Sequence, residues 1–314
     1  MRKQRINAIV VTYNRCELLM ECIEAILNQT YPVTQLTIVD NASTDNTSTT
    51  LQKMGYLNNP KIKYLKLKDN LGGAGGFYHG LKDFKSSDFD WAWIMDDDVV
   101  PQKNSLEELI NALKITRQKK ISFLASTVFG ENREFMNVPQ INEDAEKNGY
   151  ASWYEYLDEG LIKIKKATFV SLLINIDAVK KIGLPCKDYF IWGDDSEYTQ
   201  RLTKYYGQAY LVGKSMVIHK RKNAKSLSIF NFEDKARLQK VWRLYRNNLI
   251  NDRYYLGGKA ATKKCLNDFK LAIKCLGHKN WNTMINQIVK GDYLGIVQYK
   301  KFKKYIDNQL KNID

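Results

Sequence analysis

INAIVVTYNRCELLMECIEAILNQTYPVTQLTIVD, residues 6–40, reads as a strand, a helix and a second strand. INAIVVT (6–12) is short, apolar and β-branched, as a buried strand requires. In CELLMECIEAILNQ (16–29), Leu18, Leu19, Cys22, Ile23 and Ile26 recur at helical spacing. LTIVD (36–40) restores the strand pattern. Parallel strands need a crossover of about this length, usually a helix.

The alternation continues downstream. Capping residues in ASTDNTSTTLQKM (42–54) announce another helix, and IKYLKL (62–67) is a third strand. A glycine-rich turn at 72–76 leads into a helix, and WAWIMD (91–96) is a fourth strand. SLEELINALKITR (105–117) predicts an amphipathic helix with Ser105 as N-cap and Glu108 at the capping-box position. ISFLAS (121–126) closes the region. The expected class is α/β, with a mostly parallel sheet flanked by helices. Such sheets bind ligands beyond the carboxyl ends of their strands.

The chemically informative residues fall at those ends. Thr12, Tyr13, Asn14 and Arg15 follow the first strand, and Asp40 and Asn41 close the second. Asp69, Asn70 and the glycines follow the third, and Asp96, Asp97 and Asp98 end the fourth. Three adjacent carboxylates repel one another when partly buried, and a hard divalent cation removes that cost. Alternate residues of an extended segment point the same way, so Asp96 and Asp98 can share a site. The bland reading is a solvated acidic turn. In NLGGAGGF (70–77), four glycines in five residues let backbone N–H groups approach a ligand ahead of a helix N-terminus. The spacing is neither a dinucleotide fingerprint nor a Walker loop.

Beyond residue 127 the chain is polar and mixed to about 160. KKATFVSLLINI (165–176) predicts a strand, DAVKKIG (177–183) a short helix, and YLVGKSMVIHK (210–220) another strand. In FIWGDDSEY (190–198), Asp194, Asp195 and Glu197 open a helix whose dipole favours anions. They read either as ordinary first-turn acids or as holding a general base. His219 ends a strand and is a candidate metal ligand, although a lone histidine is more often structural.

The net charge of +15 lies wholly in the last part of the chain: residues 220–314 carry 22 basic and 7 acidic residues. A neutral body with a basic, helical tail implies an anionic partner for the tail. Residues 266–306 interleave lysine with Leu, Ile, Phe, Trp and Tyr, as an interfacial helix does. The expected partner is an anionic membrane surface. Packing on the catalytic body, or a homo-oligomer, is the alternative. No signal-like or membrane-spanning run is present, and five scattered cysteines fit a reducing compartment, so the expected place is cytoplasmic, peripheral on the inner face of the membrane.

Taken together, VTYNR (11–15), VDNASTD (39–45), NLGGAGGF (70–77), WIMDDDV (93–99) and FIWGDDSEY (190–198) resemble glycosyltransferase family 2, in its galactofuranosyl- and rhamnosyltransferase branch. The resemblance covers about residues 5–222 and implies a GT-A, Rossmann-like fold, a nucleotide-diphosphate sugar donor, Mn²⁺ or Mg²⁺, and inversion at the anomeric carbon. It places the catalytic domain at 1–222, with nucleotide-sugar binding at about 1–126 and the acceptor and base part at about 127–222. The basic helical region is then 223–314. By the same resemblance, Thr12, Asn14, Arg15, Asp40, Asn41, Asn70, Gly73, Asp97 and Trp192 belong to the donor site. Asp96 and Asp98 match the metal and donor positions, His219 the metal-ligating histidine and Asp195 the base. Gly193 separates Trp192 from the aspartates, where related enzymes have tryptophan directly before them, and this leaves Asp194 open beside Asp195. The NLGGAGG motif leans toward UDP-galactofuranose, with dTDP-rhamnose second. The acceptor implied is a glycan or lipid-linked saccharide in cell-surface polysaccharide synthesis. A sugar nucleotidyltransferase is the nearest rival, but it carries a basic glycine-rich loop after the first strand, where this chain has VTYNRCE. A nucleic-acid-binding protein would use the tail and leave the acidic and glycine motifs unexplained, so no nucleic-acid partner is expected.

Overall fold

The computed structural model describes residues 2–82, 84, 88–221, 225–232 and 234–311. The first half is the expected alternation: β1 (Ile6–Thr12), α1 (Cys16–Leu27), β2 (Gln35–Asp40), α2 (Thr47–Lys53), β3 (Ile62–Lys66), α3 (Gly72–Lys82), β4 (Trp91–Asp96), β5 (Val99–Pro101), α4 (Ser105–Ile115) and β6 (Ile121–Phe129). The chain continues through β7 (Phe135–Met136), β8 (Gln140–Ile141), β9 (Leu161–Lys166), β10 (Leu172–Asn175), α5 (Ile176–Ile182), α6 (Asp194–Tyr205) and β11 (Gln208–His219). Among the described residues four α-helices follow: α7 (Lys235–Leu238), α8 (Trp242–Leu256), α9 (Gly258–Lys274) and α10 (Trp281–Gln309).

The strands form one sheet in the order β3-β2-β1-β4-β10-β6-β11-β9-β8, with β5 beside β11 and β7 beside β6. From β3 to β4 every pairing is parallel. β10 enters antiparallel between β4 and β6, while β6 and β11 are parallel. The sheet is therefore parallel through the N-terminal half and mixed beyond it. All seven residues of β1 are buried, because helices cover both faces. Neighbours on β4 feed opposite cores: Trp93 and Met95 pack with α1 and α4, Ala92 and Ile94 with α3 and α6.

Three local expectations are corrected. Ser105 is the first residue of α4 rather than its N-cap, which is Asn104. The Ser105 hydroxyl donates to the Met216 carbonyl, so no capping box forms with Glu108. The strand expected over 165–176 is split: residues 165 and 166 end β9, and a separate strand, β10, spans 172–175. Residues 167–171 loop inward because Ser171 Oγ accepts from Trp93 Nε1 at 3.0 Å and pairs with Ser126 Oγ at 2.8 Å. The glycines at 72–76 are not a turn ahead of a helix but the first turns of α3 itself. A Cβ at Gly76 would stand 2.3 Å from Val11 Cγ1, and one at Gly80 2.6 Å from Ile9 Cγ2. Those two glycines let the helix lie directly on β1.

The basic tail packs on the body. A Cβ at Gly291 would lie 2.6 Å from the Trp242 carbonyl, and one at Gly295 2.9 Å from Leu249, so α10 rests close against α8. The far end of α10 reaches the turn after α5. There Leu184 N donates to Gln309 Oε1 at 3.0 Å, and Tyr305 Oη donates to the Pro185 carbonyl at 2.9 Å. The expected boundary between 222 and 223 lies outside the described residues. No helix among the described residues is long and apolar enough to cross a membrane.

Candidate active site at the carboxyl edge of the sheet

Register brings the strand ends together. Thr12 of β1 stands opposite Asp40 of β2, and Val11 opposite Asp96 of β4. After Asp96 the chain turns into β5, which runs antiparallel to the end of β11 with Val99 facing His219. Lys220 N donates to the Asp98 carbonyl at 2.7 Å and closes the turn. His219 Nε2 consequently lies 3.1 Å from Asp98 Oδ1. Ligand atoms of Asp96, Asp98 and His219 all lie within 4.8 Å of one another.

The proton on His219 follows from its other nitrogen. Nδ1 is 2.9 Å from Asn137 Oδ1, and an amide oxygen only accepts, so Nδ1 carries the hydrogen. In the neutral imidazole, the Nε2 lone pair then faces Asp98 Oδ1, a buried oxygen with no hydrogen-bond donor. Two lone-pair donors aimed at each other, with a second carboxylate in reach, fit a hard cation of mixed oxygen and nitrogen ligation. Asn137 plays the orienting part common behind metal-binding histidines. It comes from the irregular stretch after β6, adopts a φ of 48°, and carries no periodic signal in the sequence.

The middle aspartate points inward. Asp97 Oδ2 accepts from Thr12 Oγ1 at 2.7 Å, and Arg15 Nη1 donates to Asp97 Oδ1 at 3.2 Å and to Asp98 Oδ2 at 2.6 Å. Burial pushes the Asp97 carboxyl up to about 6, against the pull of Arg15. Asp96 is raised well above the carboxylate range by burial and by Asp98 and Asp97. At Asp98 burial also acts upward, but Arg15 and, with a proton on Nε2 in place of a cation, His219 more than offset it and hold the group low.

On the donor side the expected residues shape the loops. Asp40 is fully buried; it accepts from Ser43 N at 2.7 Å and from Tyr64 Oη at 2.5 Å. Asn14 Oδ1 accepts from Thr44 N at 2.7 Å, and Asn41 brackets the start of α3 through Gly72 O at 2.7 Å and Leu71 N at 3.0 Å. Asn70 Oδ1 accepts from Gly72 N at 2.8 Å. A Cβ at Gly73 would meet nothing within 4 Å, so Gly73 borders open space. Gly72 has φ +72° and its Cβ would stand 2.0 Å from the Phe190 carbonyl oxygen. Gly72→Ala is therefore expected to cost about 2–4 kcal/mol, from left-handed strain plus overpacking, read as a lower denaturation midpoint.

The second acidic cluster opens α6. Asp194 is buried and Asp195 half-buried. Burial and the neighbouring Asp195 push Asp194 up to about 8. Asp195 is raised by burial, with Ser196 N–H and Lys166 pulling the other way. Asp194 in turn raises Asp96, which places the two acidic clusters in one electrostatic site. Glu197 has a structural partner: it forms a fully buried ion pair with Arg201 at 3.0 Å and accepts from Tyr255 Oη of α8 at 2.8 Å. The preceding loop carries left-handed residues at Phe190 (φ 67°), Trp192 (φ 63°) and Gly193 (φ 82°). For Phe and Trp that backbone costs on the order of 1–3 kcal/mol each and persists only where its surroundings impose it. The Trp192 ring packs edge-on to Phe232, 5.6 Å between centroids, within the apolar cluster of the C-terminal helices.

Two further cations belong here that motif reading did not single out. Arg221 and Arg237 line a cavity of about 170 Å³ with Ser226, Ser228 and Asn231. Burial, then Arg221 and Arg15, lower the Arg237 pKa, while Asp98 acts to raise it. Arg237 thus sits among cations beside the aspartate turn. Its place in the basic tail hid it, since nothing local separates it from the other arginines there.

The model of the family described as glycosyl transferase family 2 matches residues 8–181. A galactofuranosyltransferase of Mycolicibacterium smegmatis is 26% identical over 204 residues, covering 63% of this chain and 65% of that protein. Among solved structures, S. aureus TarS 1–349 in complex with UDP-GlcNAc is similar with a TM-score of 0.60 and 14% identity, over 98% of this chain and 88% of that one. GalNAc-T7 with UDP, GalNAc and Mn²⁺ gives a TM-score of 0.62 and 11% identity, over 96% of this chain and 57% of that one.

Proposed function

The chain belongs to glycosyl transferase family 2, and on that premise we propose that it is a metal-dependent, inverting glycosyltransferase moving a sugar from a nucleotide diphosphate to a glycan or lipid-linked saccharide. The observation that carries this reading is the opposition of His219 Nε2 and Asp98 Oδ1 at 3.1 Å, with Asp96 in reach and Asn137 fixing the imidazole. Asp96, Asp98 and His219 would hold Mn²⁺ or Mg²⁺, which supplies charge neutralisation for the leaving diphosphate. Arg15, Arg221 and Arg237 flank that position and bind diphosphate oxygens. Thr12 and Asp97 act through Arg15, which they orient. Asp40, Asn41, Asn14 and Asn70 shape the nucleotide pocket, and Gly73 keeps its wall open. Asp195, the more accessible of the acidic pair, takes the proton from the acceptor hydroxyl, which attacks opposite the departing diphosphate.

UDP-galactofuranose is the favoured sugar donor and dTDP-rhamnose the second, in keeping with the galactofuranosyltransferase relative. The matched part spans 65% of that relative, so the likeness supports the donor class through the catalytic region alone. The purified protein is expected to release UDP from UDP-galactofuranose faster than dTDP from dTDP-rhamnose. The reverse order would exchange the two donors, and release from neither would contradict the reading.

The tail carries a second face suited to the acceptor's surroundings. On α9 and the turn after it, Leu266, Phe269, Ile273 and Leu276 are all at least half exposed, at helical spacing. On α10, Val289, Tyr293, Ile296 and Val297 repeat the pattern. Exposed Lys263, Lys270, Lys274, Lys290 and Lys300 accompany them. Apolar residues entering the headgroup region beside lysines meeting lipid phosphate describe an interfacial helix pair. Each lysine near an anionic surface contributes about 1 kcal/mol. Binding to an anionic membrane places the enzyme where a lipid-linked acceptor sits. Phe269→Asp with Ile273→Asp is expected to abolish co-sedimentation with anionic vesicles while leaving thermal stability and donor hydrolysis intact. Wild-type binding that ignores lipid charge and salt, or its absence, would overturn this part.

A further inference from the structure

The loop that presents the acidic pair does not hold its own shape. Its backbone turns left-handed at Phe190, Trp192 and Gly193, immediately before Asp194. Its carbonyls are gripped from α8, which lies beyond the segment matched by the family model. The fully buried Asn247 sends its amide nitrogen to the carbonyls of Trp192 at 2.6 Å, Ile191 at 3.1 Å and Tyr189 at 3.2 Å. Its Oδ1 accepts from Arg246 Nε at 2.8 Å, which fixes the orientation of the amide. Arg246 Nη2 reaches the Asp188 carbonyl at 3.0 Å. One turn on, Asn251 Nδ2 donates to the Gly193 carbonyl at 2.9 Å, while its Oδ1 accepts from Tyr189 Oη at 2.7 Å. The remaining carbonyl, of Phe190, accepts from Ala74 N of α3 at 3.2 Å. The loop is therefore clamped between the glycine-rich start of α3 and one polar stripe of α8.

These contacts are unusual for a helix surface. Residues 247 and 251 are one turn apart, so they share a face. That face is polar and buried, and its amide nitrogens are satisfied by the backbone of a single loop. A helix needing only to pack would present apolar residues there, as α8 does with Leu249 and Ile250. Asn247 Cβ also comes within 3.1 Å of where a Gly193 Cβ would be, so the helix is fitted to the turn that launches α6.

We propose that Asn247 and Asn251 of α8 are positioning residues for the Asp194–Asp195 pair, so that the C-terminal helices complete the active site by holding the base in register with the donor. The proposal rests on Asp195 being the base. Loss of either amide lets the strained loop relax and carries the carboxylate away from the acceptor hydroxyl, leaving the donor pocket and the metal ligands in place.

The test compares wild type, Asn247→Ala, Asn251→Ala and Asp195→Asn in the full-length protein, at a temperature where circular dichroism shows each to be folded. Transfer rate, donor affinity by titration and the pH profile of kcat are measured. The expected result is a kcat lowered roughly 10- to 100-fold in both asparagine variants, as for a displaced general base. Donor affinity stays within about twofold, and the acid limb of the profile moves because the field at the base has changed. A kcat within about twofold of wild type, a parallel fall of donor affinity and kcat, or failure of both variants to fold overturns the proposal. Asp195→Asn separates the two ideas. If it is fully active the base assignment itself fails, and if it is inactive while Asn247→Ala and Asn251→Ala are active only the positioning role fails.

Discussion

Asp98→Ala is expected to remove donor turnover by a factor on the order of 10³ or more, since several kcal/mol of charge stabilisation at the leaving diphosphate rests on the cation site. Asp98 has two neighbours that make it central: His219 Nε2 at 3.1 Å and Arg15 Nη1 at 2.6 Å. Removing the carboxylate takes a ligand from the cation and leaves Arg15 with Asp97 as its one partner in the aspartate turn. The loss should not come from unfolding. The Asp97 contacts with Thr12 and Arg15 remain, and the Arg15–Asp98 pair that is lost is half exposed on its arginine side, where such pairs contribute little. Calorimetric titration with Mn²⁺ should show binding to wild type and none to Asp98→Ala, at unchanged helix content. His219→Ala is expected to weaken the same binding more mildly. Equal Mn²⁺ affinity in wild type and Asp98→Ala would contradict the ligand assignment.

Asp195→Asn is expected to lower transfer by roughly 10² or more while donor binding is kept, because the amide is nearly isosteric and cannot accept the acceptor's proton. Burial raises both aspartates, so the wild-type rate should fall in acid at a pH above the ordinary carboxylate range. The sign follows directly: below its raised pKa the base is protonated and inactive. Asp194 is pushed up to about 8 by burial and by Asp195, so protonation of the pair as the pH falls relieves its repulsion. If Asp194→Asn is inactive and Asp195→Asn active, the base is the buried member of the pair and the register shifts by one.

The parts legible in the sequence are those written in local patterns. The strand–helix alternation of residues 6–40 and the polar residues at each strand end are set by periodicity, and the sheet brings them to one edge in register. His219 was legible as a strand end, and its meeting with Asp98 follows from β5 pairing with β11. What stayed hidden depends on distant partners. Asn137 lies 82 residues from His219 in an irregular loop, and Asn247 lies 55 from Trp192. The glycines of NLGGAGGF suggested a ligand-hugging turn, yet Gly76 serves close packing of α3 on β1 and Gly72 the close approach to Phe190. Ser171 sits in an apolar run that looks like strand, and its two long-range hydroxyl contacts pull the backbone out of that pattern. The basic tail showed its charge and its helices, but not that α8 grips the loop ahead of Asp194.

The central claim, a nucleotide-sugar transferase working through a cation held by Asp96, Asp98 and His219, is tested most directly by nucleotide-diphosphate release from UDP-galactofuranose before and after chelation. The account expects release with Mn²⁺, its loss in EDTA, and its return when Mn²⁺ is restored in excess. Undiminished release in EDTA, from a preparation shown to be free of metal, would contradict it.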